Sequence, residues 1–292
     1  MATLRDIRRR IAAVRSTAKI TSAMKMVAAA KMRRAQNAIE NARPYFSKIE
    51  ETVSSLIDLS DDYKNPFIES REEVNSIAII IISSDRGLCG SFNTTLFKNI
   101  SEIQDNLKKD YPKASFRYIS VGKKACSHTK RAKMDVISEF PGIINKLSFI
   151  YAQNIVNSIK ELYLNKEIDK IYILYNEFVN ILKQVPTLKQ ILPIEPVKNT
   201  NSSQVLDYIY EPSKNEILDV LIPKLIDTRI WRSLLESNAA EQAARMMAMD
   251  KATSNAYDLI RMLELQYNKE RQASITKEML EIVGGAEALK AK

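Results

Sequence analysis

The chain has 292 residues, 45% of them hydrophobic and 27% charged, an ordinary composition for one or two folded soluble domains. Its longest apolar runs, such as 77–82, fall far short of the roughly 20 residues a bilayer span needs, and two cysteines, Cys89 and Cys126, make neither a disulfide framework nor a metal pair. The net charge of +9 sits almost entirely at one end: residues 1–34 hold ten Lys or Arg and one acid, Asp6, and the rest of the chain sums to zero.

The N-terminal stretch carries a countable pattern. Alternate steps of three and four from Leu4 give Leu4, Ile7, Ile11, Val14, Ala18, Thr21, Lys25, Ala28, Met32, Ala35, Ile39, Ala42, Phe46, Ile49, Val53 and Leu56, of which only Thr21 and Lys25 are not apolar. A seam of period 3.5 sustained this long predicts a supercoiled helix rather than a surface helix. Pro44 lies off the seam and should bend the helix without ending it. The basic segment would suit nucleic acid, an anionic membrane or an acidic protein pocket. It also resembles a mitochondrial presequence in being Arg-rich and acid-poor. The seam runs unbroken through the supposed cleavage zone, so a retained helix is expected.

Four of the six glycines, Gly87, Gly90, Gly122 and Gly142, fall in the middle, where the texture changes. Residues 76–83 (SIAIIIIS) read as a buried strand, followed by the loop 84–91 (SDRGLCGS) and a helix over 92–107. Further strands are predicted at 116–121 and 170–175, with a helix over 144–164 between them, which together suggest a small parallel α/β sheet. Pro186, Pro193, Pro196 and Pro212 punctuate a region of edge strands and loops, and 208–211 (YIYE) reads as a last strand. From Lys224 to Val283 there is neither Gly nor Pro, enough for a helix of about 90 Å. Its looser seam is Leu235, Ala239, Met246, Met249, Ala256, Ile260, Leu263 and Tyr267, with Gln242 and Thr253 interrupting it.

A helix that begins the chain and one that ends it can pair only if the middle folds back. The expected fold is therefore a long antiparallel two-helix coiled coil formed by the N- and C-terminal helices, with a small Rossmann-like α/β domain inserted between them. Its expected boundaries are 1–60, 61–211 and 212–292.

Chemistry has little to work with. Gly87 and Gly90 follow a strand and precede a helix, where amides can cradle phosphate. There is no GxGxxG, no Lys-Ser/Thr pair after the glycines and no strong candidate for a ribose carboxylate, so a tight turn is the expected reading. His128, the only histidine, lies in the basic stretch 123–133 and reads as a solvated loop residue; without an acid to orient it, catalysis and metal binding both fail. No cofactor is expected. Binding of DNA or an anionic surface is the competing class, although no aromatic precedes Tyr45 for base stacking and the apolar seam runs straight through the basic segment.

Both termini resemble the gamma subunits of F-type ATP synthases, bacterial type. The carrying residues are 7–11 (IRRRI), 19–28 (KITSAMKMVA) and 31–33 at the start, and Glu236-Ser237, 243–246 (AARM), Ala248-Met249, Ala252-Thr253, Asn255-Ala256, 267–269, 271–276 (RQASIT), Glu278, Glu281 and Gly285-Ala286 at the end. The middle adds 84–90 (SDRGLCG) and 208–212 (YIYEP). The resemblance implies a non-catalytic rotor shaft. In that family the coil turns inside three alpha and three beta subunits, while the inserted domain meets the epsilon subunit and the c ring, through which membrane association is indirect. Proton flow thereby drives ATP synthesis elsewhere in the complex, and no nucleic acid is involved. By family position, Met24, Lys25, Arg245, Arg271, Gln272, Thr276 and Glu278 would contact alpha and beta, and Tyr208, Tyr210 and Glu211 would lie on the c-ring and epsilon side. Short or flexible groups, Ala286, Ala288 and Leu289, would turn within the sleeve. The cytoplasmic face of a bacterial inner membrane is the expected location. The regulatory cysteine pair of chloroplast members has no counterpart here, and Lys25 stands where many relatives carry an acid.

Overall fold

The computed structural model describes residues 3–58, 63–71, 73–195 and 210–290. Helix α1 spans Leu4–Asp58 and helix α5 spans Lys214–Lys290. Between them lie β1 (Ser76–Ile82), α2 (Phe92–Asp110), β2 (Ser115–Val121), α3 (Lys123–Arg131), β3 (Val136–Phe140), a 3-10 turn (Ile143–Lys146), α4 (Phe149–Leu164), β4 (Lys170–Phe178) and β5 (Gln184–Leu192).

Both long helices start on side-chain caps. Thr3 and Asp6 form a reciprocal box: the Asp6 amide donates to Thr3 Oγ1 at 3.3 Å, and the Thr3 amide and hydroxyl donate to Asp6 Oδ2 at 3.2 and 2.6 Å. Those hydrogen bonds from Thr3 hold the Asp6 carboxyl below its usual range. The single acid of the basic arm is thus a helix-capping group. At α5 the pair is Ser213 and Glu216, with Ser213 Oγ donating to Glu216 Oε1 at 2.9 Å and accepting from the Glu216 amide at 3.3 Å. Pro44 and Pro223 both lie inside continuous helices.

The chain divides into two compact units, residues 1–28 with 246–292, and residues 29–245. In the first, α1 and α5 run antiparallel: Arg15 pairs with Glu264 at 2.9 Å, Thr21 with Thr253 at 2.7 Å and Lys25 with Asp250 at 2.6 Å, so rising numbers on one helix meet falling numbers on the other. Ile7, Ala18 and Ala28 of α1 and Met249, Ala256, Ile260 and Leu263 of α5 are buried along that seam. Small residues at the contact let the two backbones approach closely.

The second unit is built on a five-stranded sheet of order β3-β2-β1-β4-β5. Strand β1, five isoleucines with Ser76 and Ala78, is buried at every residue, as a central strand covered on both faces must be. Its alternation divides the interior. Ala78, Ile80 and Ile82 join a core made with α1, α4 and α5, including Ile49, Val53, Ile155, Ile159, Leu225 and Ile230. Ile77, Ile79 and Ile81 face the opposite layer, with Leu96, Ile100 and Leu107 of α2 and Ala125 of α3.

Several sequence expectations need correction. The sheet is mixed, because β5 returns antiparallel beside β4 through the short connection 179–183, too short for a parallel crossover. The helix expected from 144 begins at Phe149, after a 3-10 turn, and Ser148 in extended conformation separates the two. The basic stretch 123–133 contains helix α3, and His128 is a half-buried helical residue whose ring stacks on Phe97 at 4.1 Å between centroids. Burial, followed by the charge of Arg131, pushes its pKa down. Tyr210 and Glu211 belong to the loop that enters α5 rather than to a strand, because the cap at Ser213 has already begun the helix; Tyr208 and Ile209 lie outside the described residues.

Candidate functional site

In a doubly wound sheet the ligand crevice opens where the strand order reverses, at the carboxyl ends of the strands. Here that point lies between β1 and β4, where α5 packs, while on the other side of β1 the loop after it is tied to those after β2 and β3. Asp85, buried in the loop after β1, accepts from the amides of Lys123 at 3.0 Å, Gly142 at 2.9 Å and Asn145 at 3.2 Å, and from Asn145 Nδ2 at 2.9 Å. The first amide of α3, that of Lys123, is among the donors that already hold this carboxylate. Gly122, with φ of 91°, lets the chain pass so close that a Cβ there would stand 2.4 Å from the Ser83 carbonyl oxygen.

Helix α5 closes the crevice. Arg245 forms an ion pair with Glu241 at 2.7 Å and donates to the carbonyls of Arg86 at 3.2 Å and Gly87 at 3.3 Å. Cys89 and Phe92 pack against Ala240. Asn176 of β4 donates to the Phe92 carbonyl at 3.1 Å. Nearby, Tyr175 donates its hydroxyl to Glu236 at 2.7 Å, and Arg232 holds the other Glu236 oxygen at 2.8 Å. Burial, with the Glu236 charge and hydrogen bond, pushes the Tyr175 phenol far up, so it stays a donor. Burial likewise raises the Glu241 carboxyl against the pull of Arg245. The arrangement fastens a helix to a sheet; among the described residues no cluster of His, Cys, Asp and Glu could hold a metal.

In the other unit, Lys25 is a half-exposed seam residue whose ammonium reaches out to Asp250, and Met24 beside it is half-buried. Arg271 and Gln272 are exposed; Thr276 donates back to the Gln272 carbonyl at 2.9 Å, and exposed Glu278 accepts from Ser274 Oγ at 3.4 Å. Lys25 is opposite Asp250, and Arg271 stands 21 residues further along α5, about 30 Å at helical rise. These residues therefore form a strip along the helices rather than one site. Of the residues expected to meet alpha and beta, Arg245 alone belongs to the sheet-bearing unit, where its guanidinium is already engaged. Tyr210 and Glu211 precede α5, and Tyr208 lies outside the described residues.

Beyond Tyr267 the α5 seam stops being buried. Ile275, Met279, Leu280, Ile282 and Val283 are 45–71% exposed on consecutive turns, far more apolar surface than isolated exposed residues would explain. The cations Arg5, Arg8, Arg9, Arg10 and Lys19 are exposed off the α1 seam. Sequence reasoning missed Asp85, Tyr175 and Glu236 as functional positions. Asp85 had a local signal, an acid three residues after the isoleucine-rich strand, whereas the Tyr175–Glu236 pairing joins residues 61 positions apart and leaves no local trace.

The ATP synthase family profile matches residues 3–289. The ATP synthase gamma chain of Chlorobium phaeobacteroides DSM 266 is 46% identical over 291 residues, covering 99% of this chain and all of that one. The gamma chain of Chloroherpeton thalassium is 45% identical and covers 99% of each. Among solved structures, the Euglena gracilis mitochondrial ATP synthase in rotational state 3 contains a chain with a TM-score of 0.69 at 19% identity, covering 99% of this chain and 95% of that one. The central stalk of the Tetrahymena thermophila enzyme gives 0.58 at 24% identity, with 80% and 99% covered. These structures share the fold, two long terminal helices with a central sheet domain. The likeness runs the whole length of the chain, and the chain belongs to the ATP synthase gamma chain family.

Proposed function

We infer that this chain is the central-stalk rotor of an F1Fo ATP synthase, coupling proton-driven rotation of a c ring to conformational change in a hexamer of three alpha and three beta subunits. The observation that carries this reading is the end of α5. There a helix stripped of its partner presents Ile275, Met279, Leu280, Ile282 and Val283 to solvent, a surface suited to an enclosing apolar sleeve. The chain performs no catalysis; the crevice between β1 and β4 that would take a nucleotide is packed against α5 instead. Torque passes because α1 and α5 are joined by a buried seam, and because Asp85, Arg245 and the Tyr175–Glu236–Arg232 group bind α5 to the sheet.

Met24, Lys25, Arg271, Gln272, Thr276 and Glu278 form the strip that meets alpha and beta. Arg245, which also holds the Arg86 and Gly87 carbonyls, is a further alpha/beta contact. Tyr210 and Glu211 would meet the c ring and the epsilon subunit, together with Tyr208, which lies outside the described residues. The working division is a coil of residues 1–60 and 212–292 with an inserted domain of 61–211. The chain associates peripherally, through the c ring, with the cytoplasmic face of a bacterial membrane; among the described residues no helix is long and apolar enough to cross one.

The test is reconstitution. The chain alone should show no ATPase activity, and added to an alpha–beta hexamer it should restore coupled hydrolysis and bind at one copy per three alpha and three beta. Intrinsic ATPase activity of the purified chain, or failure to join the hexamer, would overturn the assignment.

A further inference from the structure

One acid of the sheet-bearing unit is buried without being fully satisfied. Glu241 of α5 is only 4% exposed. Its Oε1 accepts from Arg245 Nη1 at 2.7 Å and, loosely, from Gln242 Nε2 at 3.5 Å, while among the described residues Oε2 has no hydrogen-bond partner. A bare buried oxygen costs more on an ion than on a neutral acid. The charged and titratable groups that face this carboxyl are Arg245 on its own helix, Lys31 on α1, and Asp85 and Cys89 from the loop after β1. Burial, seconded by the charge of Asp85, holds the carboxyl above its ordinary range against the pull of Arg245 and Lys31.

Arg245 carries the state of that acid to the loop. Its side chain is 12% exposed, and its Nη2 donates to the carbonyls of Arg86 at 3.2 Å and Gly87 at 3.3 Å. Neutralising Glu241 leaves a largely buried guanidinium without the carboxylate it pairs with, and such a cation gains by moving to water. The two carbonyls then lose their donor. The loop stores strain that this loss can release: Leu88 lies at φ of 64°, in the left-handed region, and is 65% exposed. Ser84 Oγ still donates to the Arg86 carbonyl at 2.8 Å, so the loop loosens rather than unfolds.

We propose that Glu241 is a proton-operated latch: ionised, it keeps the Arg245 guanidinium on the carbonyls of Arg86 and Gly87, and on taking a proton from solvent it releases that guanidinium and with it the loop 84–91. The proton adds to the bare Oε2, and no other covalent bond is made or broken. The inference does not depend on the rotor reading. The latch can work in an isolated chain, and a rotor can turn with its latch fixed.

The experiment is hydrogen–deuterium exchange of the full-length chain, read by mass spectrometry from about pH 5 to about pH 9. The reporting peptide spans 84–93, where the Ser84 amide donates to Asn93 Oδ1 and the Phe92 amide to the Cys89 carbonyl. Glu241→Gln is a permanent copy of the neutral acid. Dividing its exchange rate by that of wild type at the same pH removes the intrinsic pH dependence of exchange. The ratio should be about tenfold or more at the alkaline end and fall to unity as the pH drops, with a midpoint above the ordinary carboxyl range. A peptide from α4 should stay within about twofold of unity throughout, and adding Glu241→Gln to an Arg245→Gln chain should change loop exchange less than about twofold, because no guanidinium is left to release. If Glu241→Gln fails to fold, wild type alone carries the test: loop exchange divided by α4 exchange should rise as the pH falls. A ratio that does not change with pH, as a purely structural role would give, or one that persists in full in the Arg245→Gln chain, would overturn the proposal.

Discussion

Replacing Asp85 with alanine should remove the pin that ties together the loops after β1, β2 and β3. The carboxylate accepts from three backbone amides and one side-chain amide, all between 2.9 and 3.2 Å, and its residue is only 7% exposed. Each buried donor left without a partner costs about 1–3 kcal/mol, and bonds to an ionised acceptor lie at the upper end. The four losses are not additive, because water can enter the small space and the loop can relax, so about 3–5 kcal/mol is expected in total. Asp85→Asn keeps one acceptor but turns an NH₂ toward donors, and should lie between wild type and alanine. The assay is urea unfolding of the full chain followed by the fluorescence of Trp231, the only tryptophan, which sits edge-on to Phe149 at 6.0 Å in the same unit. The midpoint should fall with little change in slope. A loss under about 1 kcal/mol would refute the view that this carboxylate organises these loops.

Other expectations follow from the same contacts. Ala252→Pro, in the middle of α5, should cost about 3 kcal/mol or more in that helix and abolish coupling, while Trp231 fluorescence stays native; retained ATP synthesis would count against a stiff coil. Met279→Ser and Ile282→Ser, 61% and 71% exposed, should alter the stability of the isolated chain by less than about 0.5 kcal/mol yet weaken its affinity for an alpha–beta hexamer, as measured by surface binding. Burial draws the Asp169 carboxyl upward, but hydrogen bonds from Arg71 and from the amides of Asn75 and Ser76 outweigh it and hold the pKa below 3.8. A depressed native pKa stabilises the fold above the unfolded value, so this contribution is complete at neutral pH and fades as the pH falls below about 4. Asp169→Asn should flatten that part of the acid-unfolding curve, and an unchanged curve would contradict the assignment.

The α1 seam was readable from sequence because a 3.5-residue period is a local property, and each of its sixteen positions is buried or half-buried in the structure. Lys25 looked like a defect on that seam until Asp250 was seen beside it, a pairing across 225 residues that no local pattern records. Strand β1 was equally plain, since seven buried β-branched or small residues admit few other readings. Strand β3 and helix α3 were missed for opposite reasons. The strand is short and half-buried at every position, so it has no alternation to detect, and the helix carries so many cations that its buried Ala125, Cys126 and Thr129 were hidden. The expected contact residues came from resemblance alone. Their physical settings, an engaged Arg245 and a bare helix end, emerged only when the partners were in view.

The most direct test of the central claim is a staple across the coil. Thr21 and Thr253 hold their hydroxyls 2.7 Å apart, so Thr21→Cys with Thr253→Cys places two thiols within reach of a disulfide, while native Cys89 and Cys126 are buried. Single-molecule rotation of the reconstituted complex should then proceed at the same rate when the bond is formed as when it is reduced, because the two helices turn as one body. Rotation that stops on oxidation and resumes on reduction would show that the helices must slide or part to do their work, and would contradict the account.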